Sequence, residues 1–277
     1  MAVSDNSGVD VTVHPVSDSP PPRITAFQNL HSLTESFNIN DGSFSHCTFS
    51  YLGPDYTFYF GQSTKTKKEL TLEFISDSLK RIPEDEIYPK APSSIKVYPH
   101  ATIDETVYLK LPNMLRYEDL VGTELMAKAC LDEVDAFQRL EQHPHPNISK
   151  YHGSVLRSDR VVGIVMDRYP ITLADRILEE KPKVFPWDKC LQEIESGIKH
   201  LHSLGLAHND LNPNNVMLDD SDVAYLIDMG SCRPFGGDLI TAGTVGWVDE
   251  GFTKSAPEHD EVGLRKIEAW MEENMKG

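Results

Sequence analysis

The chain is poor in basic residues, poor in cysteine, and has no long apolar run. Its 26 lysines and arginines face 43 aspartates and glutamates, for a formal net charge of −17. So acidic a surface repels phosphate, which argues against a nucleic-acid or anionic-membrane partner and is compatible with a cationic one. Solubility accounts for the charge equally well. Cys47, Cys130, Cys190 and Cys232 show neither CxxC spacing nor metal-ligand pairing, which suits a reducing compartment better than a disulfide framework. The longest apolar runs, such as residues 161–166, are of strand length and too short to span a bilayer. The first eight residues carry no basic or apolar signal segment, so a cytoplasmic protein is the expectation.

What is present sorts into stretches. Residues 1–40, rich in Ser, Asp, Pro and Asn, read as a flexible arm. Residues 44–60 mix aromatic and polar side chains around Gly53-Pro54-Asp55, a pattern that predicts two short strands. A helix is expected near 72–81, then a hairpin with arms at 94–99 and 106–111, both β-branched and aromatic. Leu125, Cys130, Val134, Phe137 and Leu140 recur at helical spacing across 124–141, and the prolines of His143-Pro144-His145-Pro146 end that helix. Strands follow at 148–156 and 161–166, then helices at 172–180 and 187–204, the second closed by Gly205. Strands early and helices late predict an α+β protein with a β-rich lobe and a helical lobe, joined near Asp167–Pro170.

The chemistry gathers in His208-Asn209-Asp210-Leu211-Asn212-Pro213-Asn214-Asn215 and, after an apolar strand, Asp228-Met229-Gly230. Asp, Asn and Pro cluster in any solvated turn, but two such loops at this spacing resemble the protein-kinase superfamily, with its HRDxxxxN and DFG loops. The resemblance implies a bilobal kinase-like fold that uses ATP and Mg²⁺. In it Asp210 orients the acceptor hydroxyl, while Asn215 and Asp228 hold the metal. Val107-Tyr108-Leu109-Lys110 looks like the strand that carries the phosphate-binding lysine. Glu133, on a helix like the family's αC, is the candidate ion-pair partner of Lys110, with Glu124 as its rival. Lys110 alone reads equally as a solvated edge-strand lysine. Val165-Met166-Asp167-Arg168-Tyr169 resembles the hinge, placing adenine near Met166, Asp167 and Tyr169; without the family, Met166 is a strand-end core residue. Gly243-Thr244-Val245-Gly246-Trp247 resembles the end of an activation segment, and Asp260 the residue that ties down the catalytic loop. Ala256-Pro257-Glu258 spells a family motif too close to Asp260, and is taken as coincidence. The histidines lack HExxH or cysteine partners, so His208 reads as a structural member of its loop.

Four departures bear on function. No GxGxxG precedes Lys110; Asn209 stands for the arginine of HRD; Asn212 stands for a lysine common in serine/threonine kinases; and the chain stops soon after Asp260. The implied layout is an arm at 1–40, a divergent N-lobe at 41–168 and a shortened C-lobe at 169–277. The implied activity is transfer of the γ-phosphate of ATP to a hydroxyl, on protein Ser/Thr or on a small alcohol. The alternative is a pseudokinase scaffold.

Overall fold

The structure, a computed structural model, describes residues 22–38, 41–182, 184–240, 243–249 and 251–275. Ser32–Phe37, inside the stretch whose composition suggests a flexible arm, is a strand (β1). It pairs antiparallel with β2 (Phe44–Leu52), which pairs in turn with β3 (Phe58–Ser63), and β3 with β4 (Lys80–Arg81). Composition misleads here because the stabilisation is long-range: β2 supplies the ladder, and Ile24 is buried in one cluster with Cys47, Phe49 and Ile75. Most of the predicted arm, residues 1–21, lies outside the described residues. Helix α1 (Leu72–Ser78) starts where expected, capped by Thr71 Oγ1, which accepts from Phe74 N.

The expected hairpin does not form. β5 (Val107–Lys110) pairs instead with β7 (Arg160–Asp167), setting Tyr108 opposite Met166 and Lys110 opposite Ile164. β6 (Tyr151–Arg157) takes the other edge of β7. Residues 94–99 reach only the outer edge of β6, through one bridge from Val97 to Ser154. The continuous Val-Val-Gly-Ile-Val-Met run of β7 is buried on both faces, and such a run is satisfied only as a central strand. Pro99, lacking an N–H, cannot extend a ladder.

The two faces of this sheet have different partners. Val107, Leu109, Val155, Val162 and Val165 pack with Tyr56, Phe58, Ile87 and Tyr88 of the upstream segment. Ile164 and Met166, with Tyr108 beside them, join the larger core of the helical half. That core is entered by α2 (Leu125–Gln142), whose Val134, Phe137 and Leu140 are buried on one stripe. It continues through α3 (Trp187–Ser203), which buries Cys190, Ile194, Ile198 and Leu201, and α4 (Pro257–Met275), which contributes Ile267 and Met271. Each fully buried aliphatic or aromatic side chain stabilises by about 1.5–3 kcal/mol. Short strands thread the helical half: β8 (Ile171–Thr172), β10 (Val216–Leu218) and β11 (Ala224–Leu226) form one sheet, and β9 (Leu206–Ala207) pairs with β12 (Arg233–Pro234). The result is the expected bilobal α+β architecture. Among the described residues no helix is long and apolar enough to cross a membrane.

Candidate active site

The loop between β9 and β10 is built on Asp260. This carboxylate, fully buried in the first turn of α4, accepts from His208 N and Asn209 N at 2.8 Å each and from His202 Nε2 at 2.9 Å. Gly263, one turn further on, permits the approach: a Cβ there would meet Leu211 O at 2.7 Å. His208 Nε2 donates to Ile227 O (2.9 Å), tying the loop to the strand that leads into Asp228. Asn209 adopts φ 63°, a left-handed conformation that asparagine tolerates better than most residues. Its Nδ2 donates to Ala207 O, Ser231 O and Ser255 Oγ, and its Oδ1 accepts from His259 Nδ1. A neutral amide thus joins the loop, the segment after Asp228 and the start of α4.

These anchors hold Asp210 at the cleft. Its Oδ1 accepts from Thr244 N (2.8 Å) and Asn212 Nδ2 (3.2 Å), and its Oδ2 from Asn215 Nδ2 (3.2 Å). Asn215 Nδ2 also donates to Asp210 O, and Asn212 Nδ2 reaches Thr244 Oγ1. Across the cleft, Lys110 Nζ lies 2.6 Å from Glu133 Oε1 and 2.7 Å from Asp228 Oδ1. Burial alone would lower the Lys110 pKa, but Asp228 and Glu133 more than reverse this and raise it. Burial raises Glu133, and Lys110 only partly offsets it. Asp228 is also pushed up by burial, yet Lys110 and Gly230 N bring it below its ordinary value. Asp228 sits at φ 60°, and its Oδ1 accepts from Gly230 N. A Cβ at 230 would meet Asp228 Oδ1 at 2.9 Å, so a larger residue there would push that carboxylate from its place.

Lys110, Glu133, Asp210 and Asp228 therefore line one cavity of about 400 Å³, with Thr244 and Gly230 on its wall and Leu120, Met126 and Cys130 at its apolar end. Asn215 stands behind Asp210. Met166, Asp167 and Tyr169 are not brought to this cavity. Met166 is buried in the core, Asp167 Oδ1 lies 2.6 Å from His152 Nε2, and Tyr169 stacks on Tyr225 with its hydroxyl on Asp167 Oδ2. Glu124, the rival to Glu133, precedes the first turn of α2. Among the described residues β5 pairs with β7 alone, so no strand lies beside Lys110 where a glycine-rich loop would attach.

Sequence reasoning did not assign three features. Thr244 contributes a main-chain N–H, which leaves no mark in side-chain patterns. Arg233 meets Asp132, the neighbour of Glu133, at 3.1 Å and braces α2 from the other lobe. His259, buried and stacked on Phe252, has its pKa lowered by that burial against the opposing pull of Asp260. A histidine that is less basic folded than unfolded takes up its proton on unfolding, so its contribution to stability is lost as pH falls through 6.5. His259→Gln is expected to flatten the fall of the melting midpoint between about pH 7.5 and 5.5; an unchanged slope would refute the assignment.

The family model described as the protein kinase domain matches residues 110–249, half of the chain, from Lys110 through every residue of this cavity's catalytic loops. The maternal embryonic leucine zipper kinase of Xenopus tropicalis is 29% identical over 154 residues, 52% of this chain and 21% of that protein. The serine/threonine-protein kinase SKS1 of Saccharomyces cerevisiae is 41% identical over 98 residues, 34% of this chain and 19% of its own length. A serine/threonine-protein kinase-like protein of Arabidopsis thaliana is 26% identical over 166 residues, 56% of this chain and 48% of the relative. The chain thus spans less than half the length of each of these relatives. Among solved structures, the yeast RNA Pol II CTD kinase CTDK-1 complex aligns at 18% identity with a TM-score of 0.44, covering 50% of this chain and 47% of that one. With its matched segment starting at the half-buried lysine of β5 and running past both loops, the chain belongs to the protein kinase domain family.

Proposed function

We propose that the protein is an ATP- and magnesium-dependent phosphotransferase that moves the γ-phosphate to a hydroxyl. The observation that carries this reading is the opening of Lys110, Glu133, Asp228 and Asp210 on one cavity. Lys110, held between two carboxylates, is placed to meet phosphate oxygens. Asp210, oriented by Thr244, Asn212 and Asn215, is placed to accept the proton of an incoming hydroxyl.

The donor set fits magnesium. Asp228 is 40% exposed at its side chain and offers a hard oxygen, and with Asn215 Nδ2 committed to Asp210 the amide oxygen is the atom left for a cation. Two such protein oxygens suit an ion that is held together with substrate phosphates. Magnesium, when bound, would neutralise charge on the phosphates.

The acceptor is a hydroxyl on a protein or on a small alcohol, and a cationic one suits the net charge. The pseudokinase reading draws on the single pairing of β5, which leaves the phosphate site without a strand lid. The test is labelled γ-phosphate followed from ATP into the protein and small-molecule fractions of an extract. Mg²⁺-dependent label in either fraction supports transfer, and none in both overturns it. Magnesium-nucleotide is expected to raise the melting midpoint of the wild type and to leave Asp228→Ala unmoved. An equal rise in both would remove Asp228 from the site.

A further inference from the structure

Resting on the ATP reading above, we infer that Tyr108 closes the base end of the cleft, so that the chain takes a nucleoside triphosphate by its phosphates and discriminates little among bases. Alternation along β5 sets the geometry. Val107 and Leu109 face the upstream core, so Tyr108 and Lys110 share the opposite face. Two residues along a strand are about 7 Å, so Tyr108 lies one side-chain step from Lys110 towards the hinge, directly opposite Met166. A base reaching from phosphates at Lys110 to the backbone near Asp167 has to pass through the volume of that ring.

The ring packs, partly buried, against the core that holds Met166, and the Arg168 guanidinium lies 6.0 Å from its centroid. Arg168 is itself clamped: its Nε donates to Val107 O and its backbone N to Thr106 O, each at 3.2 Å. Beyond it, Tyr169 stacks on Tyr225 at 4.3 Å between centroids, and Asp167 is engaged by His152 and Tyr169. The hinge polar side chains thus satisfy one another. The cavity around Lys110, Asp210 and Asp228 turns away, towards Leu120 and Met126, and neither Tyr108 nor any hinge residue lines it. Its charged groups, Lys110, Glu133, Asp210 and Asp228, suit phosphate and magnesium rather than a base. The side chains at its apolar end, Leu120 and Met126, carry no hydrogen-bonding group to tell one base from another.

The experiment titrates the full chain with MgATP, MgGTP and magnesium tripolyphosphate by calorimetry, in wild type, Tyr108→Ala and Tyr108→Phe. Wild type is expected to bind all three ligands within about threefold. Tyr108→Ala is expected to gain roughly tenfold for ATP, the scale of one base stacking interaction, with tripolyphosphate unchanged. Tyr108→Phe should behave as wild type. A wild-type preference of tenfold or more for ATP over tripolyphosphate overturns the inference, and this arm stands even where Tyr108→Ala does not fold. A folded Tyr108→Ala without gain also overturns it, leaving the kinase reading intact. Failure of every protein to bind any of the three sinks the ATP reading and the inference with it.

Discussion

Asp210→Asn is expected to lower phosphoryl transfer by ~10²-fold or more while magnesium-nucleotide binding stays unchanged. On the proposed reading the two effects separate, because Asp210 would meet the acceptor, whereas Lys110 and Asp228 would meet the phosphates. The substitution is also gentle on the fold. An asparagine oxygen still accepts from Thr244 N, and the main anchors of the loop belong to Asp260 and Asn209. The one local loss is at Oδ2, where an amide NH₂ would face the NH₂ of Asn215, a donor-to-donor contact of about 1 kcal/mol. ADP formation and labelled acceptor are read side by side, with thermal melts confirming the fold. Turnover equal to wild type would mean that Asp210 neither orients nor deprotonates the hydroxyl.

The activation logic follows from the same hub. The HRD arginine of the family is suited to a phosphorylated loop, but Asn209 is neutral and its amide is already engaged by Ala207, Ser231, Ser255 and His259. No cation is present at position 209 for a phosphate to order. Arg233, the nearby guanidinium, is paired with Asp132 on α2. The contacts that hold the cleft together are therefore hydrogen bonds and ion pairs encoded in the chain.

How much of this was legible depended on distance along the chain. The loop 208–215 could be read because its chemistry is contiguous and each residue type matches one task. The meeting of Lys110 with Glu133 rather than Glu124 needed a helix register, which the spacing of Val134, Phe137 and Leu140 supplies. Upstream, the strands around Gly53-Pro54-Asp55 and the helix at Leu72–Ser78 are where the pattern puts them, and the two expectations that fail do so because order there comes from elsewhere. Ser32–Phe37 has a strand's hydrogen bonds only because β2 lies beside it, and residues 94–99 lose their hairpin because β7 takes β5. The hinge match of Met166, Asp167 and Tyr169 says nothing of Tyr108, whose ring is turned to the face of Lys110 by alternation along β5. Thr244 acts through its backbone, so no residue type could announce it.

Lys110→Met is expected to destabilise the fold by about 3 kcal/mol, because it leaves Glu133 buried without its cation. Glu133 is 7% exposed at its side chain, whereas Asp228 at 40% can turn to water, so the cost falls on Glu133. Glu133→Gln alone should cost less, since Lys110 keeps Asp228. The double variant, with two neutral side chains, should be more stable than the sum of the singles by at least about 1 kcal/mol in denaturant titrations. Strict additivity would mean that the pair is not coupled. The pH dependence gives an independent check. A carboxyl whose folded pKa is raised stabilises the fold below its unfolded value of 4.5 and loses that contribution as pH rises through the folded pKa. Removing Lys110 takes away the charge that opposes this rise, so Glu133 protonates at still higher pH. Lys110→Met should therefore be closest to wild type in acid and furthest from it in alkali, until Lys110 itself titrates above its raised pKa. A gap that narrowed steadily from acid to neutral pH would place the buried charge on a group other than Glu133.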